Sequence, residues 1–233
     1  MRRRLFTRPK DADLPNEDAA AASRLTDCYA LADGASSCYA GGAWARVLSR
    51  RYVRDPVVSA EWLAGARQAF RDRVIIDDAD WLAQLAYARG NFATLLGFQI
   101  HSDRIEGVAL GDTLLFVLTP HGVQHVPPML AEDFRNDPVL LSSHQGIGRF
   151  AQTPEAIAAL GFSLRAPDAG WSGCRLFAMT DALAAWVLSG DVPDRLASLG
   201  AVTDAAAFCG LVAANIESGE MRRDDATLLS LEL

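Results

Sequence analysis

Four short segments rich in β-branched and aromatic residues follow one another closely in the middle of the chain, and their spacing constrains the fold strongly. They cover Phe92 to Ile100, Arg104 to Leu110, Leu114 to Leu118 and Val123 to Val126. The connections between them are short and hold turn-forming Gly, Pro, Ser and Asp residues. Connections of this length are too short for a crossover between parallel strands. The pattern therefore predicts consecutive antiparallel hairpins.

Apolar residues at helical spacing lie on either side of this β-rich region. They predict a helix from Gly41 to Tyr52, a second that begins after Ser59 as its N-cap, and a third from about Asp78 to Ala88. Further apolar segments predict two more helices and three more strands. The helices are Asp181 to Leu188 and Asp204 to Ile216, and the strands are Thr26 to Ala32, Cys174 to Met179 and Thr227 to Leu233.

Strands and helices are thus grouped along the chain, which argues against a parallel doubly wound sheet. Two antiparallel sheets packed as a β-sandwich, with helices on both outer faces, would bury the apolar residues of this pattern. We therefore predict an α+β fold of four α/β/β/α layers and a single domain over residues 1–233. Most tryptophans lie on apolar helix faces and are predicted in the core, Trp81 among them, whereas Trp171 lies between glycines and is predicted to be partly exposed.

Composition narrows the class of partner and the cellular compartment. The net charge is −7, which disfavours nucleic acid as the main partner because phosphate backbones bind basic faces. Four cysteines are scattered without a Cys-x-x-Cys pair, so zinc-ligand spacing is absent and a reducing compartment is expected. No apolar run approaches the roughly 20 residues of a membrane span, and no signal-peptide core follows the basic start. We expect a monomeric cytoplasmic protein.

Acidic residues recur where predicted strands begin or end. Asp33-Gly34 ends an apolar run, Asp181 follows another, Asp224-Asp225 precedes the last strand, and Glu17-Asp18 lies near the start of the chain. Each has a simple structural explanation as a turn or a helix cap. Together they provide the carboxylate oxygens that a hard divalent cation prefers. If the segments converge, the chain is a metal-dependent hydrolase.

Six motifs in this order resemble those of the metal-dependent protein phosphatases, the type 2C protein phosphatase family, in a bacterial single-domain form. The similarity extends through almost the whole chain, and its specificity comes from the order and intervals of motifs that are individually weak. The motifs are Asn16-Glu17-Asp18-Ala19, Ala32-Asp33-Gly34-Ala35-Ser36, Asn91-Phe92-Ala93-Thr94, Gly111-Asp112-Thr113, Thr180-Asp181-Ala182-Leu183 and Asp224-Asp225-Ala226-Thr227.

The resemblance implies a β-sandwich with two Mn²⁺ or Mg²⁺ ions and a serine/threonine phosphatase activity on phosphorylated proteins. Asp33 would bridge the two metals, and Glu17 would bind metal-bound water. The catalytic residues implied are Asp33, Asp181 and Glu17. The remaining ligand roles also follow from the resemblance alone. Asp18 and the Gly34 carbonyl would complete the coordination of one metal ion, Asp181 and Asp224 would bind the other, and Asp112 would contribute to a third, weaker site.

The chemistry agrees with these residue types, since two divalent ions neutralise a phosphomonoester and lower the pKa of the water between them. No Ser or Cys nucleophile motif competes with this interpretation. The chain departs from the family where many members place a phosphate-binding Arg, because it has Asp13-Leu14-Pro15 there. Arg8 and Lys10 are the neighbouring basic candidates.

Two alternatives stay open. A pseudophosphatase would bind a phosphoprotein without turnover, and it is suggested by the missing Arg and by Ala182 where the family has Gly. A small-molecule phosphohydrolase would use the same metals with a closed pocket.

Overall fold

The computed structural model describes residues 1–23, 25–76 and 79–233, and it divides the chain into two compact units. The first unit comprises Met1–Asn16, Asp112–Pro138 and Ala166–Leu233, and the second comprises Glu17–Gly111 and Val139–Arg165. The strands in chain order are β1 (Arg2–Arg8), β2 (Asp18–Ser23), β3 (Cys28–Asp33), β4 (Phe92–Ala93), β5 (Leu95–Ile100), β6 (Arg104–Leu110), β7 (Leu114–Thr119), β8 (Gly122–Val126), β9 (Leu141–Ser142), β10 (Gly161–Arg165), β11 (Arg175–Met179) and β12 (Ala226–Glu232).

The helices follow the periodicity of the sequence closely where they are long. In chain order they are α1 (Gly41–Arg54), α2 (Ala60–Arg71), α3 (Trp81–Ala88), α4 (Pro154–Ala158), α5 (Asp181–Leu188), α6 (Val192–Ala201) and α7 (Ala205–Glu217), with a 3₁₀ helix at Ala131–Arg135. Ser59 caps α2 as predicted, because its side chain accepts a hydrogen bond from the Trp62 backbone N–H. The predicted start of α3 at Asp78 lies outside the described residues, and Asp80 caps that helix.

The first unit contains a five-stranded antiparallel sheet in the order β1-β12-β11-β7-β8. Helices α5, α6 and α7 pack against it around a core that includes Phe116, Phe177, Leu183 and Phe208. Phe6 of β1 stacks on Phe208 with ring centroids 5.6 Å apart, which fixes the edge strand to the helical layer.

The second unit contains another five-stranded antiparallel sheet, in the order β10-β6-β5-β3-β2, and the small pair β4-β9. Trp44 of α1 and Phe70 of α2 contact each other edge to face in its core. The Trp44 indole N–H also donates to the Leu141 carbonyl at 2.9 Å, which connects α1 to β9. The prediction of an α+β fold with two antiparallel sheets and helices is therefore confirmed. The hairpin predicted across Gly111-Asp112 is wrong, because β6 and β7, the strands on either side of it, belong to different sheets.

One core prediction is wrong. Trp81 is 72% exposed, and Leu82 and Leu85 of the same helix are also exposed. Helix α3 contains no buried residue in the described structure, although its sequence carries an apolar stripe. Periodicity identified the helix correctly, but a short helix buries its apolar face only where another element covers it. The partial exposure predicted for Trp171 is confirmed.

Candidate functional site

We name the carboxylates of Glu17, Asp18 and Asp33, together with the backbone carbonyl of Gly34, the first carboxylate set. All four residues lie in the second unit. Strands β2 and β3 pair so that Asp18 lies directly opposite Asp33. The Gly34 N–H donates to the Glu17 carbonyl at 3.2 Å, so that pair is hydrogen-bonded. The Asp18–Asp33 pair next to it is therefore of the non-hydrogen-bonded kind, in which side chains lie closest. Like charges opposite each other destabilise a sheet, and a bound cation would offset that cost.

Asp33 is held from its other side by Thr94. The Asp33 N–H donates to the Thr94 hydroxyl at 2.8 Å, and the Thr94 N–H donates back to the Asp33 carbonyl at 2.9 Å. This exchange also explains why the predicted strand Phe92 to Ile100 is split into β4 and β5 at Thr94. The motif around Thr94 therefore fixes the backbone that carries Asp33.

Gly34 has a packing reason to be glycine. A Cβ atom at this position would overlap the backbone of Gly41 and Gly42, where α1 begins. Gly34 also forms an isolated bridge with Ala93. The Asp-Gly turn thus lets the first turn of α1 approach the end of β3 closely.

We name Asp112, Asp181 and Asp224 the second carboxylate set, and these residues lie in the first unit. Thr180 continues the register of β11 against β12, because its N–H donates to the Thr227 carbonyl and its hydroxyl accepts from the Thr227 N–H at 3.0 Å. Asp181 follows directly as the first residue of α5 and is 8% exposed. The strand end and the helix start therefore fix Asp181 beside the beginning of β12.

Arg222 joins two members of this set. One guanidinium nitrogen pairs with the Asp181 carboxylate, and its Nε lies 3.6 Å from Oδ2 of Asp224. Two carboxylates from separate segments thus converge on one positive charge. The arginine is a tethered cation at the place where the sequence predicts a metal, and carboxylate oxygens are suitable ligands for either.

Asp112 belongs to the same electrostatic neighbourhood. Burial raises the pKa of its carboxyl group, the positive charge of Arg222 lowers it, and the negative charge of Asp224 raises it further. Burial is the largest of these effects, since the side chain is only 5% exposed. A cation near Asp112 would favour its charged form.

The adjacent residues Asp224 and Asp225 have different partners in the structure. Oδ1 of Asp225 accepts a hydrogen bond from the Lys10 backbone N–H at 2.7 Å, and Asp225 is buried. Asp224 is instead the partner of Arg222. Asp225 therefore fixes the segment after β1, which leaves Asp224 as the ligand candidate of the doublet, as the sequence predicts.

Arg222 was not predicted as a functional residue. Its signal in the sequence is the doublet Arg222-Arg223 immediately before Asp224. The two arginines differ in the structure, because Arg223 pairs with Asp11 and donates to the Lys10 carbonyl at 3.2 Å. Only tertiary structure assigns the first of them to the carboxylates.

In the described residues, no group of three or more His, Cys, Asp or Glu side chains is arranged to hold a metal ion. The donor chemistry of both carboxylate sets nevertheless suits a hard divalent cation, and Arg222 shows that the second set stabilises positive charge. The metal-ligand and catalytic roles of Glu17, Asp18, Asp33, Gly34, Asp112, Asp181 and Asp224 stay predictions. Among the described residues, no helix is long and apolar enough to cross a membrane.

No protein-family model matches the chain, and no curated protein matches its sequence. Solved structures do match its fold. PppA, described as a key regulatory component of T6SS in Pseudomonas aeruginosa, has a TM-score of 0.64 at 16% identity and covers 99% of this chain and 96% of its own. The serine/threonine phosphatase PstP/Ppp of Mycobacterium tuberculosis has a TM-score of 0.62 at 17% identity, covering 100% and 99%.

The catalytic domain of the serine/threonine protein phosphatase PstP, solved in complex with two manganese ions, also has a TM-score of 0.62 at 16% identity. It covers 98% of this chain and 96% of its own. At these identities the likeness concerns the fold, and it extends over nearly the full length of both chains. The chain therefore has the fold of the bacterial metal-dependent serine/threonine phosphatases.

Proposed function

We propose that this chain is a metal-dependent phosphomonoester hydrolase that acts on phosphoserine or phosphothreonine in proteins. The observation that carries the proposal is the convergence of Asp181 and Asp224, from separate segments, on one positive charge. The shared fold with serine/threonine phosphatases, one of them in complex with two manganese ions, supports the same conclusion.

The proposed ligands of one metal are Asp18, Asp33 and the Gly34 carbonyl. The proposed ligands of the other metal are Asp181 and Asp224, and Asp112 would contribute to a third, weaker site. Two Mn²⁺ or Mg²⁺ ions bound there would neutralise the phosphate and lower the pKa of water.

The chain's own residues would orient these groups. Thr94 holds the Asp33 backbone, and Thr180 places Asp181 at the start of α5 through its hydrogen bonds with Thr227. Glu17 would hydrogen-bond water at the site. A carboxylate fixed by its backbone in this way loses little further freedom when a ligand binds, which favours both affinity and geometric precision.

Arg8 is the proposed phosphate-binding residue in place of the arginine that Asp13-Leu14-Pro15 lacks. It lies at the end of β1, opposite Ala226 and hence close in register to Asp224. Its Nη1 is buried and makes no hydrogen bond to any described residue. A buried guanidinium nitrogen without an acceptor is costly, and a phosphate oxygen would satisfy it.

The test is hydrolysis of a phosphothreonine peptide by the purified protein with added Mn²⁺, compared with Asp181→Asn and Asp191→Asn. Asp191 caps α6 and is not a proposed ligand, so it controls for the loss of one carboxylate at a helix start. We expect Mn²⁺-dependent turnover in the wild type and in Asp191→Asn, and its loss in Asp181→Asn. Turnover that needs no divalent metal, or that survives Asp181→Asn, would contradict the proposal.

The second candidate is a pseudophosphatase that binds a phosphoprotein without turnover. The observation that favours it is Arg222, since a resident guanidinium can neutralise Asp181 and Asp224 without any metal. Absence of turnover in folded wild-type protein, together with retained binding of the phosphothreonine peptide, would support this candidate. A nucleotide or sugar phosphate hydrolysed in preference to the peptide would instead indicate a small-molecule phosphohydrolase.

We further propose that residues 1–233 act as one catalytic domain, as a monomer, in the cytoplasm. The cysteines support a reducing compartment, because Cys28, Cys38, Cys174 and Cys209 are all free thiols. Light scattering during size-exclusion chromatography would measure the oligomeric state, and a mass twice that of the 25.1 kDa chain would contradict the monomer.

A further inference from the structure

A groove of about 580 Å³ lies in the second unit, and its lining includes none of the carboxylates described above. One wall is a face of α2 that includes Leu63 and Arg67. The other wall is the segment from residue 145 to residue 153, which includes Gly146, Arg149 and Gln152. The groove is large enough to receive one charged residue of a peptide or a small ion with its water.

Arg67 is a buried charge with neutral partners. It is only 6% exposed, and its Nε and Nη2 donate to the Ser142 carbonyl at 3.3 and 3.4 Å. Nη2 also donates to Oε1 of Gln152. Within the described residues, the Arg67 side chain forms no ion pair. A buried guanidinium without a counter-ion carries a desolvation cost that an anion would offset.

Further positive charges surround Arg67. Arg149 lines the same groove, and burial followed by the charge of Arg71 lowers the pKa of Arg67. The pKa of His144 is lowered by burial and then by Arg71 and Arg67, which shows that both arginines act on this neighbourhood. None of the lining residues in the described chain carries a carboxylate. The groove is thus cationic on a protein whose net charge is −7.

The segment opposite α2 leaves room at the groove. Gly146 has φ +75°, and a Cβ atom there would meet nothing within 4 Å. Its backbone conformation favours glycine, whereas packing does not require it. The wall beside Arg149 is therefore open to a ligand.

We propose that this groove is a phosphate-binding site, with Arg67 as the buried anchor and Arg149 as the second cationic contact. Guanidinium groups match phosphate oxygens through paired, charge-assisted hydrogen bonds, and two of them suit a doubly charged group. The ligand is a phosphate group, either as the free ion or on a phosphorylated residue of a protein. The site would serve either function considered above, because it requires neither metal nor turnover.

The test is calorimetric titration of the metal-free protein with inorganic phosphate and, separately, with a phosphothreonine peptide, in the presence of a chelator. The chelator removes divalent metal, so phosphate cannot bind through metal at the carboxylates. An Arg8→Gln variant titrated in parallel measures any phosphate bound at Arg8, which does not line the groove. The variants are Arg67→Met, which keeps the apolar stem, and Arg149→Gln, which changes an exposed residue. Arg54→Gln is the matched control, because Arg54 is an exposed arginine at the end of α1 and does not line this groove.

We expect phosphate or the peptide to bind the wild type and Arg54→Gln equally. For the binding that Arg8→Gln leaves unchanged, Arg149→Gln should weaken the affinity about tenfold, the effect of one lost charge-assisted hydrogen bond, and Arg67→Met should abolish it. Binding of the free ion and binding of the peptide alone both support the site and distinguish its two sources. The proposal is overturned if neither ligand binds the wild type, or if Arg149→Gln binds as tightly as Arg54→Gln. The Arg149 comparison holds even if Arg67→Met does not fold.

Discussion

Replacing Arg222 with Gln should strengthen Mn²⁺ binding, because the guanidinium and the metal compete for Asp181 and Asp224. The side chain of Arg222 is 42% exposed, so solvent screens its ion pairs. At 3.6 Å, two unit charges in water attract by about 1 kcal/mol, and measured exposed pairs contribute about 0.2–1 kcal/mol. Two such pairs give about 0.4–2 kcal/mol, which corresponds to a Kd lower by about 2- to 30-fold.

The same substitution should destabilise the metal-free protein. Without Arg222 the carboxylates of Asp181 and Asp224 repel each other, and about 0.4–2 kcal/mol of stability is lost. For a chain of this size we expect Tm to fall by roughly 1–8 °C without metal, and saturating Mn²⁺ should reverse that loss.

Isothermal titration calorimetry with Mn²⁺ and thermal unfolding with and without metal measure the two effects. Arg223→Gln is the matched control, since it removes the same charge from the adjacent residue, which pairs with Asp11 instead. Equal Kd values in the wild type and Arg222→Gln, or an equal shift in Arg223→Gln, would refute the competition. If neither the wild type nor Arg222→Gln binds Mn²⁺, the proposed metal-dependent function fails as well.

Three further predictions concern the second unit and the helices. Trp44→Ala should destabilise the protein by about 3–5 kcal/mol in denaturant unfolding, because the indole is fully buried; a loss below 1 kcal/mol would show that the site collapses around the missing side chain. Gly34→Ala should lower Tm because its Cβ would overlap the Gly41 backbone, whereas Gly210→Ala, with open space in α7, should raise stability by about 0.5–1 kcal/mol; the reverse order would contradict the packing argument. Burial raises the pKa of Cys28 to about 11, so in native protein at pH 8 mass spectrometry after brief iodoacetamide treatment should find this thiol unmodified, and rapid alkylation there would contradict the burial.

The sequence alone determined the elements whose signals are local. The turn residues between Phe92 and Val126 predicted the hairpins β5–β6 and β7–β8 correctly, because short connections join antiparallel neighbours. They did not reveal that the Gly111-Asp112 connection joins strands of two different sheets, since a short connection does not specify which sheet the next strand joins. Ser59 specified the start of α2 because a cap depends on residues only three positions apart. Asp33, Asp181 and Asp224 were proposed as metal ligands from similarly local signals, the small residues and strand ends beside them, and these roles stay predictions.

Other elements were not predictable because distant partners stabilise them. Strand β2 consists largely of alanines, which favour strands weakly, and it forms because β3 offers a complete ladder of partners. Strand β1 begins in a basic stretch and is held by β12 from the opposite end of the chain. Helix α3 has the periodicity of a buried helix, yet Trp81 is exposed, and it is Tyr87 at the other end of the helix that stacks on Phe70 of α2.

The electrostatic partners were decided by tertiary structure alone. Arg222 and Arg223 are adjacent and identical in type, but one contacts Asp181 and Asp224 and the other contacts Asp11. Arg67 is an ordinary residue of an amphipathic helix in sequence, and only the folded segment around Ser142 and Gln152 makes it a buried charge. The sequence by itself determined where the carboxylates lie along the chain. Only the tertiary structure determined which arginine pairs with which carboxylate, because the interaction energy of two charges depends on their distance in space and not on their separation along the chain.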